Sequence, residues 1–190
     1  MIRIAITGGI GSGKTFISKL FGYPVFSADE VVSKIYLKNK KVFFKLKKKI
    51  PKLFFSFPIK KQELINAIIK NKRNIKNISS IVHPEVKKHL KVFLKKNKKR
   101  KVVVLDIPLL LENNLHKKKD IIIFIQSNKT KAFNKIKKRQ NFNKTVLKRL
   151  KNMQFSQSYK KKKSHYVIKN DFNKNSARKK VRDILNKILQ

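Results

Sequence analysis

Residues 7–15 read TGGIGSGKT and directly follow the apolar run IRIAI at 2–6. Four of the chain's five glycines lie in this stretch. From Gly8 to Thr15 it fits the pattern G-x-x-x-x-G-K-[ST], between a strand-like run and a helix-like run. Consecutive backbone N–H groups can wrap a phosphate chain only with unusual dihedrals and close backbone approach, both of which glycine permits. The stretch therefore predicts a phosphate-binding loop for a nucleoside triphosphate.

The residues of this loop have separate expected tasks. Lys14 is expected to reach the β- and γ-phosphates, and the hydroxyl of Thr15 is expected to hold Mg²⁺. The helix that starts here adds the positive end of its dipole. A chance glycine-rich turn is the alternative, and the loop's position after a strand argues against it. The predicted ATP-binding residues of the loop are Gly8, Gly9, Ile10, Gly11, Ser12, Gly13, Lys14, Thr15 and Phe16.

Apolar runs alternate with basic, helix-like stretches along the rest of the chain. This alternation predicts an α/β fold with a mainly parallel sheet covered on both faces. A closing amphipathic helix is expected from residue 175 onward. The other predicted strands lie near 25–26, 101–106, 120–127 and 165–170.

The segment 38–98 is rich in lysine and has helical spacing of its apolar residues. Pro84 is expected to begin the helix that carries Val86 and Leu90, because proline suits the first helical position. The lysine runs are predicted to be solvated loops or helix ends. These runs lie at 47–49, 117–119 and 160–163.

The net charge is +42, from 51 basic and only nine acidic residues. One interpretation is a protein that binds nucleic acid electrostatically. The alternative is drift toward AT-rich codons, because Lys, Asn, Ile and Phe together make up more than half of the chain. We favour drift, since a dedicated nucleic-acid binder would not need so much Ile and Phe. Under such drift, each remaining Gly, Asp, Glu and Arg is more informative.

Composition also excludes several classes of protein. The chain has no cysteine, which excludes disulfides, cysteine-ligated zinc and a thiol nucleophile. Its 190 residues, 41% of them hydrophobic, fit one domain with a packed core. The start of the chain lacks the features of a signal peptide, and no apolar run reaches the roughly 20 residues of a membrane span. We expect a soluble, cytoplasmic monomer with no specific nucleic-acid partner.

A carboxylate follows the second predicted strand, in the sequence Ser27-Ala28-Asp29. Ligands of α/β sheets gather at the carboxyl ends of the strands, so Asp29 is expected to face the same crevice as the phosphate loop. There it would accept a proton from an attacking hydroxyl. The alternative is that Asp29 only caps the helix that begins there. The residues alone leave both interpretations open.

Five segments, in order along nearly the whole chain, resemble the dephospho-coenzyme A kinase family. They are TGGIGSGKT, Ala28-Asp29, IVHPEV at 81–86, DIPLLLE at 106–112 and YVIKN at 166–170. The resemblance implies Mg²⁺- and ATP-dependent phosphorylation of the ribose 3′-hydroxyl of dephospho-coenzyme A, the last step of coenzyme A biosynthesis. It also implies a P-loop nucleoside-kinase-like, three-layer fold with a parallel five-stranded sheet. The implied parts are a core (about 1–34, 99–127 and 151–190), a helical acceptor-binding insert (about 35–98) and a lid (about 128–150).

The resemblance also assigns site residues. It makes Asp29 the catalytic carboxylate, together with Lys14 and with Arg139 of the lid. Arg139 would bridge phosphate oxygens in a bidentate manner, and an ordinary surface charge is the alternative. Asn170 matches a residue near the adenine of ATP, or is simply a turn residue. Asp106 is a candidate for ordering Mg²⁺ through water.

The acceptor side is assigned to His83, Pro108, Leu109 and Glu112. Helix capping or packing is the alternative for His83, and core packing is preferred for Leu109 and its two leucine neighbours. Glu112 would alternatively orient a backbone group or a basic side chain.

Four residues depart from the family's pattern at the edge of the site. Ser27 and Gln140 replace aspartates, Lys135 replaces an arginine, and His165 replaces an acid. Lysine cannot reproduce the planar fork of arginine. We expect a functional but slow enzyme. A nucleoside monophosphate kinase and a basic nucleic-acid-binding protein with a vestigial phosphate loop stay open as alternatives.

Overall fold

The structure is a computed structural model that describes residues 1–190. Its five strands are β1 (Ile2–Gly8), β2 (Val25–Ser27), β3 (Val102–Asp106), β4 (Ile121–Ser127) and β5 (Tyr166–Asn170). Its nine helices are α1 (Lys14–Leu20), α2 (Ala28–Lys38), α3 (Lys40–Lys49), α4 (Lys61–Lys70), α5 (Arg73–Lys96), α6 (Lys129–Lys137), α7 (Lys144–Lys151), α8 (Gln157–Lys162) and α9 (Lys174–Leu189). None of these helices combines the length and the apolar character that crossing a membrane requires.

All five strands form one parallel sheet in the order β2-β3-β1-β4-β5. Every residue of β3, with the sequence VVVLD, is buried. Such continuous apolar strands are typical of parallel sheets that are covered on both faces. The predicted α/β fold with a parallel five-stranded sheet is confirmed.

The chain divides into two compact units. The first contains residues 1–27, 97–140 and 153–190, and therefore the whole sheet with α1, α6, α8 and α9. The second contains residues 28–96 and 141–152, and therefore α2 to α5 with α7. The segment predicted as a lid is thus divided, with α6 in the first unit and α7 in the second. The functions of the insert and the lid stay predictions.

The main core of the first unit lies between one face of the sheet and the helices α1 and α9. The predicted closing amphipathic helix is confirmed as α9, whose Val181 is 2% exposed. The buried members of this core are Ile4, Ile6, Ile17, Phe21, Val102, Val104, Ile123, Ile125, Ile168, Ala177 and Val181.

A buried ion pair lies near the amino-terminal edge of the sheet. Arg3 Nη2 of β1 donates to Asp120 Oδ2 at 2.9 Å, just before β4. The same carboxylate oxygen accepts the backbone N–H of Lys117 at 2.9 Å. Removing one member of such a pair leaves a buried charge uncompensated, at a cost of about 3–5 kcal/mol.

Pro84 lies inside α5, so the prediction that it begins a helix is wrong. Proline has no N–H and cannot donate to the carbonyl four residues earlier, which costs about 3 kcal/mol in a helix interior. The buried stripe of α5 continues on both sides of Pro84, and α5 packs against α2, α3 and α4. Burial of this stripe offsets the missing hydrogen bond. The buried apolar residues are Ile75, Ile78, Val82, Val86 and Leu90.

Two side chains organise the rest of the second unit. Glu63 Oε1 in α4 accepts three hydrogen bonds: from the backbone N–H groups of Phe55 and Ser56, and from Ser56 Oγ. Arg149 in α7 donates to the backbone carbonyl of Ile68 in α4. The first set of contacts fixes the loop before α4, and the second attaches α7 to α4.

Candidate active site: a phosphate loop at the carboxyl edge of the sheet

The loop between β1 and α1 lies at the carboxyl end of the central strand. Gly11 and Gly13 have φ values of 79° and 89°, which L side chains rarely adopt. A Cβ at Gly13 would lie 2.4 Å from Asn170 Nδ2, and one at Gly11 would lie 2.7 Å from the Ile136 side chain. Both positions therefore need glycine for two reasons, backbone conformation and close packing.

Lys14 folds back over the start of this loop. Its Nζ donates to the backbone carbonyls of Gly8 at 3.2 Å and Gly9 at 2.8 Å, and the residue is only 9% exposed. The loop is therefore wrapped around a buried cation. A phosphate group that enters the loop would meet this positive charge together with backbone N–H groups.

Thr15 and Asp106 bring a hydroxyl and a carboxylate together. Thr15 Oγ1 donates to Asp106 Oδ2 at 2.5 Å, and Asp106 is the buried last residue of β3. These oxygen donors fit Mg²⁺, which typically takes one or two protein ligands and completes its shell with phosphate oxygens and water. The structure contains no cluster of three or more His, Asp or Glu residues that would hold a metal without a substrate.

Asn170 supports the phosphate loop from β5. Its Nδ2 donates to the backbone carbonyl of Ser12 at 2.8 Å, and its Oδ1 accepts the N–H of Phe172 at 3.0 Å. Both ends of this buried amide are thus engaged within the protein. Lys135, the residue in place of an arginine, lies with its Nζ 4.4 Å from the centre of the Phe172 ring. Contact of Asn170 with adenine stays a prediction.

A cavity of about 380 Å³ adjoins Asn170 at the ends of β4 and β5. Asp171 lies in its lining. The hydrogen bond from Ser176 Oγ, then that from the Asn173 N–H, lower the pKa of Asp171 to about 2. Asp171 is therefore anionic at neutral pH. The residues that line the cavity are Gln126, Ser127, Asn128, Lys131, Lys169, Asn170, Asp171 and Lys180.

Glu112 forms a buried ion pair with Lys160. Lys160 Nζ lies 2.7 Å from Glu112 Oε1, which also accepts the Phe155 N–H at 2.9 Å. The Lys160 side chain is 0% exposed, so the prediction that the whole 160–163 run is solvated is wrong at this position. Buried lysines need a partner, and this partner comes from a distant segment. Glu112 therefore orients a backbone group and a basic group, as one interpretation expected, and its contact with the acceptor stays a prediction.

The residues between Asp106 and Glu112 differ in exposure. Leu110 and Leu111 are 0% and 4% exposed and belong to the core, whereas Pro108 and Leu109 are half-buried. Only the latter two have surface for a ligand.

A family model described as dephospho-CoA kinase matches residues 2–176. The chain belongs to the dephospho-CoA kinase family. Its relatives include dephospho-CoA kinases of Wolbachia pipientis wMel, 32% identical over 190 residues and 97% of each chain, and of Fusobacterium nucleatum, 31% identical over 184 residues and 94% of each chain. This kinase is accordingly a phosphotransferase.

Solved structures support the same fold. TT1252 from Thermus thermophilus superimposes with a TM-score of 0.78, at 24% identity over 100% of this chain and 98% of that one. A dephospho-CoA kinase from Campylobacter jejuni gives 0.61, at 22% identity over 98% and 96%. A shikimate kinase from Acinetobacter baumannii gives 0.52, at 14% identity over 100% and 93%. The P-loop kinase fold of the chain is thereby confirmed.

Three predicted site residues of this kinase differ in burial and in the unit to which they belong. Asp29 is the exposed second residue of α2, in the second unit. Arg139 follows α6 in the first unit and is exposed. His83 of α5 is half-buried, and burial followed by the charge of Lys87 lowers its pKa, which favours a neutral imidazole at pH 7. The catalytic and acceptor-binding roles of these residues stay predictions.

His165, a departure from the family's pattern, has a structural contact. Its imidazole Nδ1 accepts the backbone N–H of Ile122 at 3.0 Å. The backbone N–H of His165 donates to the Ile122 carbonyl at 2.8 Å. It thereby joins the starts of β4 and β5, away from the carboxyl edge of the sheet.

Proposed function

We propose that this kinase transfers the γ-phosphoryl group of ATP to the ribose 3′-hydroxyl of dephospho-coenzyme A, giving coenzyme A and ADP. The family match over residues 2–176 supports the acceptor. The observation that carries the donor is the phosphate loop closed around Lys14. The two substrates of the reaction are then its small-molecule partners.

The first task of the protein is to hold the triphosphate of ATP. The backbone N–H groups of the loop would bind the phosphate oxygens, and Lys14 would exchange its carbonyl partners for the β- and γ-phosphates. Thr15 and Asp106 would hold Mg²⁺, which when bound neutralises charge on the phosphates. The protein would need to supply only a hydroxyl and a carboxylate for this task, and Thr15 and Asp106 lie within hydrogen-bond distance of each other.

Asp29 is the proposed acceptor of the 3′-hydroxyl proton. It lies two residues after Ser27, whose Cα pairs with that of Asp106 in the sheet. Two trans peptide units span at most about 7.6 Å, so the backbone of Asp29 stays close to the carboxyl end of β2. An aspartate in that position would orient the hydroxyl and receive its proton as the bond to phosphorus forms.

Arg139 and the acceptor residues complete the proposal. The exposed guanidinium of Arg139 would bind oxygens of the phosphoryl group in a bidentate manner and stabilise its charge during transfer. His83, Pro108 and Leu109 would contact the acceptor. A neutral His83 would do so as a hydrogen-bonding group rather than as a cation.

The test is a panel of acceptors supplied separately with Mg²⁺ and ATP. AMP, CMP, dTMP and dephospho-coenzyme A are compared by ADP release and by analysis of the product. We expect ADP formation only with dephospho-coenzyme A, and a product phosphorylated at the ribose 3′ position. Phosphorylation of a nucleoside monophosphate instead would contradict the proposed acceptor and would favour a nucleoside monophosphate kinase.

A further inference from the structure

The helix α8 lies against the phosphate loop and carries the buried Lys160. It packs against β1, the strand that leads into the loop. Gln157, the first residue of α8, lies close to Gly9 of the phosphate loop. A Cβ added at Gly9 would lie 2.9 Å from Gln157 Nε2. Three residues later, Lys160 pairs with Glu112 at 2.7 Å. The same short helix thus touches both the phosphate loop and the segment that follows β3.

These contacts close a ring through the site. One end of the phosphate loop meets α8 at Gln157, and the other end is held by the hydrogen bond from Thr15 to Asp106. Asp106 leads directly into the segment that ends at Glu112, which returns to α8 through Lys160. The Glu112–Lys160 pair, which we call the clamp, is a buried ionic link in this ring. It therefore fixes the separation between the two structures that hold the ends of the loop.

Stability alone does not explain the clamp. Replacing a buried ion pair by well-packed apolar residues is often neutral or stabilising, because desolvation of two charges offsets their attraction. Glu112 Oε2 is also buried without a hydrogen-bond partner, which adds to this cost. Moreover, Glu112 is one of only nine acidic residues in a chain with 51 basic ones. A role in positioning the phosphate loop would explain why the charges of Glu112 and Lys160 are both buried here.

We propose that the clamp is a positioning device for nucleotide binding: Lys160 acts through Glu112 and Gln157 to hold the phosphate loop open to the width that a triphosphate requires. Lys160 touches no substrate in this scheme and is a positioning residue. The inference rests on the proposed nucleotide site, but it does not depend on which acceptor is phosphorylated.

The experiment measures binding of Mg²⁺ with a non-hydrolysable ATP analogue by titration calorimetry, with no acceptor present. The variants are K160M, K160R and the double variant E112L/K160M, and the melting temperature of each is recorded. We expect K160M to melt well below the parent, because Glu112 is left unpaired. The double variant is expected to regain the parent's melting temperature within about 2 °C. Its dissociation constant should nevertheless be about tenfold weaker, equivalent to about 1.4 kcal/mol, whereas K160R should bind like the parent.

The second buried pair of the first unit supplies the matched control. R3M/D120L removes the Arg3–Asp120 pair, which lies near the amino-terminal edge of the sheet, whereas the phosphate loop follows β1 at the carboxyl edge. We expect this variant to bind the analogue within about twofold of the parent, a difference well below 1.4 kcal/mol. If E112L/K160M binds like the parent, or if R3M/D120L weakens binding equally, the clamp is only structural and the inference is overturned. Failure of the parent itself to bind would instead refute the proposed nucleotide site.

Discussion

Replacing Gly13 by alanine tests the geometry of the phosphate loop most sharply. Gly13 has a φ of 89°, and a Cβ there would lie 2.4 Å from Asn170 Nδ2. The left-handed conformation costs a non-glycine residue about 1–2 kcal/mol. Displacing Asn170 breaks its hydrogen bond to the Ser12 carbonyl, and a buried polar group left unsatisfied costs about 1–3 kcal/mol. G13A should therefore lower the free energy of unfolding by about 2–5 kcal/mol.

Gly22 offers a control that separates the two contributions. Its φ is 73°, but no atom lies within 4 Å of a Cβ built there. G22A should therefore show only the backbone cost of about 1–2 kcal/mol. The difference between the variants, about 1–3 kcal/mol, then reports on the contact with Asn170. For a chain of this length it corresponds to melting temperatures that differ by roughly 2–12 °C.

The assay is thermal unfolding of G13A, G22A, N170A and G13A/N170A, followed by circular dichroism. We expect the double variant to be less destabilised than the sum of the single variants, because removal of the Asn170 amide also removes the clash. Two results would show that close packing against Asn170 does not limit position 13. One is that G13A and G22A melt at the same temperature, and the other is that the effects of G13A and N170A simply add.

Three further outcomes are expected from substitutions elsewhere. D29N should lower kcat about 100- to 10,000-fold while leaving the affinity for ATP unchanged, and parent-like turnover would remove Asp29 from the mechanism. P84A should raise the free energy of unfolding by about 1–3 kcal/mol in urea titrations, because it restores a helical donor in α5, and a loss of stability would contradict this account. The folded-state pKa of His83 lies below 6.5, so its contribution to stability is present above pH 6.5 and is lost as the pH falls. H83Q should therefore lose less stability than the parent between pH 7.5 and 5.5, and equal losses in the two chains would exclude His83 as the group responsible.

The sheet and the phosphate loop were accessible to sequence reasoning because their signals are local. Continuous apolar runs predicted the strands, and the residues from Gly8 to Thr15 carry their own chemistry in adjacent positions. These local signals were therefore sufficient to predict an α/β fold with a nucleotide site. The family resemblance extended this prediction to the acceptor.

The errors and omissions have a different origin, in contacts between distant segments. Lysines in the run at 160–163 look alike in sequence, and only the approach of Glu112 distinguishes Lys160 from its neighbours. The Asn170 side chain donates a hydrogen bond to the carbonyl of Ser12, which lies 158 residues away in the chain. No local sequence pattern could therefore predict this support of the loop. The prediction for Pro84 is wrong for a related reason. Packing of the stripe on α5 against three other helices outweighs a local preference that would otherwise begin a helix there.

Phosphoryl transfer by this kinase can be followed with labelled phosphate, from ATP to the acceptor. The chain is incubated with Mg²⁺, dephospho-coenzyme A and ATP labelled at the γ-phosphate, and the labelled product is identified by chromatography and phosphorus NMR. We expect the label to be recovered in coenzyme A as a ribose 3′-phosphate, at the same rate as ADP appears. Recovery of the label as inorganic phosphate, or at any other position of the acceptor, would contradict this expectation.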